Sequence, residues 1–206
     1  MPSTLQAAPR QSRTEILNAA AYLFRAGGFS SVSMRDIADR VGIKTASLYY
    51  HFAAKDDIVL EVLNRGMQGV IDEATGDLSR LPEGASVAQR IRTVIGAQLR
   101  AQHDLGDYTA AYIRVIAEVP DTVREATKPL TRFYIATWRE LFRAGQETGE
   151  LRRDLNVRLA IGTIMGALNW TTISLLIARG TSTQQVADEI CKIILGGLLA
   201  PDTSKK

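Results

Sequence analysis

The sequence predicts an all-α protein of about nine helices, with a helix-turn-helix head over residues 1–55 and a larger helical domain over residues 56–206. Two observations carry this expectation. Apolar residues recur at three- and four-residue spacing almost throughout, while the alternation of a half-buried strand is scarce. Glycine, proline and Ser/Thr cap signals then cut that pattern into pieces of helical length. With 46% apolar residues among 206, the chain has enough core-forming material to exclude a disordered polymer.

Each element follows in order. Ser12 with Glu15 reads as a capping box, opening a first helix with Ile16, Ala19, Ala20, Leu23 and Phe24 on one face. Gly27 and Gly28 end it. Ser33 with Asp36 opens a short second helix, with Met34, Ile37, Ala38 and Val41 inward, and Gly42 stops it. A third covers roughly Thr45 to Phe52. The fourth runs from Asp56 to about Thr75, with Asp56 and Asp57 where the helix dipole favours acids, and Gly66 and Gly69 weaken its middle. LPEGAS at 81–86 is the clearest loop. Val87, Ile91, Val94, Ile95 and Leu99 mark a fifth helix. Tyr108, Ala111, Tyr112, Val115 and Ile116 mark a sixth, ended near Pro120. Pro129 breaks or starts the next, which carries Tyr134, Trp138, Leu141 and Phe142 and stops at Gly145 or Gly149. A long apolar helix fills about 156–179 up to Gly180. Ser182 with Gln185 caps the last, with Val186, Ala187, Ile190, Ile194 and Leu198 on one face before Pro201.

Net charge is only +3, but it is unevenly placed. Residues 1–55 hold seven Lys/Arg against three acids, a balance of +4, while the remaining 151 residues sum to −1. A basic front on a neutral body suits a polyanionic partner, or equally a solvated basic face. One cysteine, Cys191, excludes an intrachain disulfide, and MPSTLQAAPRQSR holds no apolar signal region, so a reducing, cytoplasmic setting is expected. His51, His103 and Cys191 form no metal-ligand spacing, no phosphate-cradling glycine loop is present, and no cofactor is expected.

Function concentrates in GIKTASLYYHF, residues 42–52. Two short helices around a glycine turn form a helix-turn-helix, whose second helix enters the DNA major groove. Leu48 and Phe52, at i and i+4, anchor it inward against Ile37, Ala38 and Val41. Lys44, Thr45, Ser47, Tyr49, Tyr50 and His51 are left at its start or outer side. Tyrosine and hydroxyl tips fix phosphate oxygens, while Lys44, Thr45 and Ser47 sit where side chains reach base edges. Arg35 is placed for a guanine edge or a phosphate. A half-buried amphipathic helix is the plainer alternative for the same run.

The segment SVSMRDIADRVGIKTASLYYHFAAKDDIVLEVL closely resembles the signature of the tetracycline-repressor (TetR) family of bacterial transcription regulators. The shared pattern spans about 50 residues from Arg13 to Leu63 and includes the Gly42 turn, Leu48-Tyr49-Tyr50-His51-Phe52 and Lys55. The resemblance implies an all-helical ligand-responsive regulator, most often a repressor. It implies phosphate contacts at Ser33, Tyr49, His51 and Lys55, and places Arg35, Lys44, Thr45 and Ala46 near bases. Ala46 offers methyl contact only.

In the second domain, LAIGTIMGALNWTTISLLIA at 159–178 is free of charge and contains a G-x-x-x-G at Gly162 and Gly166. Thr163, Asn169, Thr171, Thr172 and Ser174 argue against a membrane span, because such groups need partners in lipid. The resemblance implies instead that the last two helices build a four-helix dimer bundle, with Gly162 and Gly166 allowing close approach and Ile190 and Ile194 supplying apolar contact. A dimer also matches the two half-sites of a palindromic double-stranded operator. Candidate ligand residues are polar-tipped groups among apolar helices, namely Tyr112, Tyr134, Trp138, Asn169, Trp170 and Thr171, each of which also serves as ordinary core. NVRLAIGTIMGALNWTT resembles the TetR subgroup that regulates lipid and acyl-CoA catabolism, without that subgroup's aromatic-Arg-Pro ending. A small apolar or acyl-type effector, acyl-CoA among them, is therefore expected, with Arg114, Arg132 and Arg139 as candidate partners for acidic groups. An enzyme would need a nucleophile–base pair or convergent carboxylates, and neither shows. A helical scaffold that binds only protein is the alternative.

Overall fold

The computed structural model describes residues 10–173 and 180–199. Among the described residues there are nine helices. They are α1 (Arg10–Gly27), α2 (Met34–Val41), α3 (Thr45–His51), α4 (Lys55–Ser79), α5 (Val87–Asp104), α6 (Gly106–Val115), α7 (Asp121–Thr148), α8 (Val157–Ile173) and α9 (Thr183–Leu198). The sole extended pairing among them is an isolated antiparallel bridge between Leu151 and Leu199. No helix among the described residues is long and apolar enough to cross a membrane.

Short-range signals mark most boundaries. The capping boxes at Ser33/Asp36 and Ser182/Gln185 form as expected, and Ser86 with Gln89 adds a third that opens α5. Gly42 closes α2 in the left-handed region at φ 78°, which a side chain resists. Other boundaries differ from the reading of sequence. α1 starts at Arg10, before the Ser12–Glu15 pair offered as its cap, and α6 ends at Val115, short of Pro120. α4 continues to Ser79 through Gly66 and Gly69. α7 runs straight through Pro129. Proline forfeits one backbone hydrogen bond and crowds the preceding turn, but its fixed φ is helical. Burial of Val123 before it, and of Tyr134, Trp138, Leu141 and Phe142 after it, holds the helix across that defect. The far end of the apolar segment (174–179) and Pro201 lie outside the described residues.

The chain divides into two compact units. Residues up to Gly66 join Asp107–Thr127 in the first, and Met67–Gly106 joins the residues from Lys128 onward in the second. The first is built on Ile16, Phe24, Ile37, Ala38, Leu48, Ile58, Val59 and Val62, all fully buried. In the second, α5 packs on α8 and α9, over a core that includes Ile91, Ile95, Leu99, Trp138, Phe142 and Leu168.

Candidate nucleic-acid interface

The cap of α2 is a closed set of bonds. Asp36 Oδ2 accepts from the Ser33 backbone N–H at 2.8 Å and from its hydroxyl at 2.6 Å, while the Asp36 N–H donates to Ser33 Oγ at 3.2 Å. The two bonds from Ser33, side chain first, hold the Asp36 carboxyl below the usual aspartate range. A depressed native pKa adds stability above the unfolded value and loses it as pH falls through the native one. The head is therefore expected to become less stable below about pH 4, and Asp36→Asn to flatten that dependence. Urea midpoints of both proteins across a pH series check this, and equal slopes would count against it.

After the Gly42 turn, Leu48 is fully buried and Phe52 is 3% exposed, so the inner face of α3 faces Ile37 and Ala38 across the α2–α3 packing. The outer face is open. Tyr50 is 84% and Tyr49 54% exposed, Lys44, Ala46 and Ser47 are exposed, and Thr45 and His51 are half-buried. Arg35 projects from the first turn of α2 and pairs loosely with Asp39 at 3.6 Å. These side chains lie on or beside one short helix.

Two assigned phosphate contacts have other occupations. Ser33 spends its hydroxyl hydrogen on its own cap. Lys55 Nζ donates to the carbonyls of Phe29 at 2.9 Å and Val32 at 2.8 Å. Both sit at helix starts, where orphan backbone groups compete for any nearby polar tip.

Sequence reasoning also missed Arg13. Its guanidinium donates to the His51 carbonyl at 2.9 Å, lies 4.1 Å from the centroid of the Phe52 ring, and pairs with Glu61 at 2.5 Å. It satisfies a carbonyl at the end of α3 with a cation, where the helix dipole favours one. Nothing local to Arg13 announces this, since His51 lies 38 positions away.

The second unit holds a largely buried, uncharged polar cluster, with Asn169 half-buried at its edge. The Tyr134 hydroxyl donates to Gln98 Oε1 at 2.7 Å, and the Nε2 groups of Gln98 and Gln102 both reach Asn169 Oδ1, at 3.4 and 3.3 Å. Trp138 stands edge-on to Tyr134, and its buried Nε1 donor meets no acceptor in hydrogen-bond geometry among the described residues. Burial pushes the Tyr134 phenol up, so it stays a neutral donor at any ordinary pH. Of the candidate ligand residues, Tyr134, Trp138 and Asn169 thus come together. Thr171 is buried and bonds back to the Leu168 carbonyl at 2.7 Å. Trp170 is 57% exposed on the outside of α8, and Tyr112 belongs to the first unit, so neither joins the cluster. Gln98 and Gln102 were missed. Their signal was a pair of amides on the apolar stripe of α5 begun by Ile91, Val94 and Ile95. Arg132 and Arg139 are exposed and Arg114 pairs with Glu118, which removes them as partners of this cluster.

α8 and α9 also leave an apolar surface open. Trp170, Ile190 and Ile193 line an open cleft of about 810 Å³, with Ile193 76% exposed. Gly162 and Gly166 are exposed and face open space where a side chain would stand, and Ile190 and Ile194 are half-buried.

A basic helix-turn-helix head joined to a helical body with a buried polar cluster is the make-up of a DNA-binding transcriptional regulator. Residues 16–62 match the bacterial regulatory proteins of the tetR family, and residues 84–198 match the tetracyclin repressor-like C-terminal domain. The chain belongs to the TetR family. It is 30% identical to the HTH-type transcriptional repressor KstR2 of Mycobacterium tuberculosis over 197 residues, covering 90% of this chain and 92% of that protein. The solved structure of the ketosteroid transcriptional regulator KstR2 of Mycobacterium tuberculosis superposes with a TM-score of 0.82 at 24% identity, covering 95% and 97% of the two chains. That of FadR from Bacillus subtilis in complex with stearoyl-CoA superposes with a TM-score of 0.72 at 18% identity, covering 89% and 98%. The named relatives are regulators, not enzymes.

Proposed function

We propose that this chain is a homodimeric repressor that grips a palindromic operator through α3 and releases it when a small apolar effector binds the second unit. The observation that supports it is the sidedness of α3, with Leu48 and Phe52 buried while Tyr49 and Tyr50 stand in solvent. In this reading Tyr49, Tyr50 and His51 fix phosphates, and Arg35, Lys44, Thr45, Ala46 and Ser47 face base edges. The 1–55 head then reads DNA, and residues 56–206 take effector and partner. The open faces of α8 and α9, with Gly162, Gly166, Ile190, Ile193 and Ile194, suit a second copy, giving two heads for two half-sites about 34–36 Å apart.

The test is an electrophoretic shift with the duplex upstream of the chain's own coding sequence, repeated over a salt series. Tyr50→Ala is expected to weaken operator and unrelated duplex alike, and Thr45→Ala to change site preference. A wild type that shifts no duplex, or variants that bind like it, would refute the assignment.

For the effector, the neutral cluster favours a carbonyl or hydroxyl oxygen on an apolar body, held by the Trp138 indole N–H and the Gln98–Tyr134–Asn169 set. A ketosteroid offers that, as does the thioester of an acyl-CoA, and the related KstR2 and FadR structures carry those two chemistries in their names. The phosphates of a CoA have no cationic partner within the cluster, so the neutral ketone is the better fit. Melting shifts with a ketosteroid, stearoyl-CoA and stearic acid distinguish the two, and stabilisation by the acid alone would refute both.

A further inference from the structure

One turn of the head is held from two sides by charged groups. Lys55, the first residue of α4, donates to the Phe29 and Val32 carbonyls at 2.9 and 2.8 Å and lies 4.0 Å from the centroid of the Phe29 ring. From just beyond α6, Glu118 Oε2 accepts the Phe29 backbone N–H at 2.8 Å, and Arg114 steadies the other carboxylate oxygen at 3.2 Å. The amide and the carbonyl of one residue are thus held by side chains 89 and 26 positions away. Gly28 makes room for this. Its φ of 84° favours glycine, and a Cβ there would stand 2.7 Å from Glu118 Oε2. The same segment ties to α1 and α4 further back. Tyr108 Oη donates to Asn18 Oδ1 at 2.6 Å and accepts from Arg65 at 3.0 Å, while Asp107 pairs with Arg25 at 2.7 Å.

The held turn leads directly into Ser33 and the cap of α2, and α2 is the surface on which Leu48 seats α3. Small shifts of the turn therefore become shifts of the outer face of α3. We propose that Lys55 and Glu118 are positioning residues, which hold the DNA-reading pose of α3 by clamping Phe29 from α4 and from the end of α6. Lys55 contributes through the clamp and not by neutralising a phosphate. The inference rests on the reading of α3 as the DNA-contacting helix.

Binding of the full chain to operator and to an unrelated duplex is measured over a salt series for wild type, Lys55→Met, Glu118→Ala and Glu118→Gln. Hydrogen exchange at the Phe29 amide is followed alongside. Lys55→Met and Glu118→Ala are expected to lose about tenfold in operator affinity, the worth of one charge-assisted bond. Affinity for the unrelated duplex and the salt slope stay as in wild type. Phe29 exchanges faster in Glu118→Ala, and Glu118→Gln, whose amide oxygen still accepts, recovers most of both. A slope reduced by about one in Lys55→Met makes it a phosphate contact and overturns the proposal. Equal losses on both duplexes, or variants that bind like wild type, also overturn it. A wild type that shifts no duplex fails the DNA-binding reading instead, a result distinct from unaltered variants.

Discussion

Leu48→Ala is expected to abolish operator binding while leaving the second unit folded. Leu48 is fully buried and is the inward anchor of a helix only seven residues long. So short a helix has no independent stability in water and depends on its packed face. Truncating a buried leucine costs about 2–5 kcal/mol in lost transfer energy and cavity formation, against a whole-domain stability of about 5–15 kcal/mol. The loss falls where α3 meets Ile37 and Ala38, so the pose of Tyr49 and Tyr50 goes with it. Operator shifts and amide exchange in α2 and α3 measure the effect, with exchange in α5 and α9 as the internal reference. Retained operator affinity would show that α3 is held by something other than this contact.

Trp138→Ala is expected to be the most destabilising change in the second unit, about 3–5 kcal/mol, because the largest fully buried side chain leaves a void against Phe142 and Tyr134. Trp138→Phe separates packing from recognition. It keeps a smaller aromatic ring and removes the indole N–H, a buried donor with no acceptor among the described residues, together with part of the bicycle. The stability loss is then smaller than that of Trp138→Ala, since less volume leaves the core. If that N–H holds the effector oxygen, stabilisation of this variant by a ketosteroid falls at least tenfold in concentration dependence, as expected for one buried hydrogen bond. Melting curves with and without the probe read both quantities. An unchanged response would assign Trp138 to packing alone.

The residues that identified the reading helix do so through short-range chemistry. Ser33 and Asp36 close bonds over three positions, Gly42 turns the backbone at a single residue, and Leu48 and Phe52 share a face because they are four apart. Each is visible in a window of a few residues. Pro129 shows the opposite case, since local chemistry favours a break there while burial on both sides keeps α7 continuous. Trp170 and Tyr134 show why candidate ligand residues are less legible in sequence. Both are polar-tipped aromatics among apolar neighbours, and helical rotation together with packing partners alone sets one outward and the other against Gln98.

Sequence was sufficient for the all-α class, the helix-turn-helix and the sidedness of α3, because spacing within a helix dictates which residues share a face. Folding across the chain assigned the roles of Arg13, Lys55, Glu118 and Gln98, whose partners lie 38, 26, 89 and 71 positions away. A cation or an amide looks alike in sequence whether it faces solvent or caps a distant carbonyl. Only packing brings the second group within hydrogen-bond reach, and that contact turns a polar side chain into a clamp.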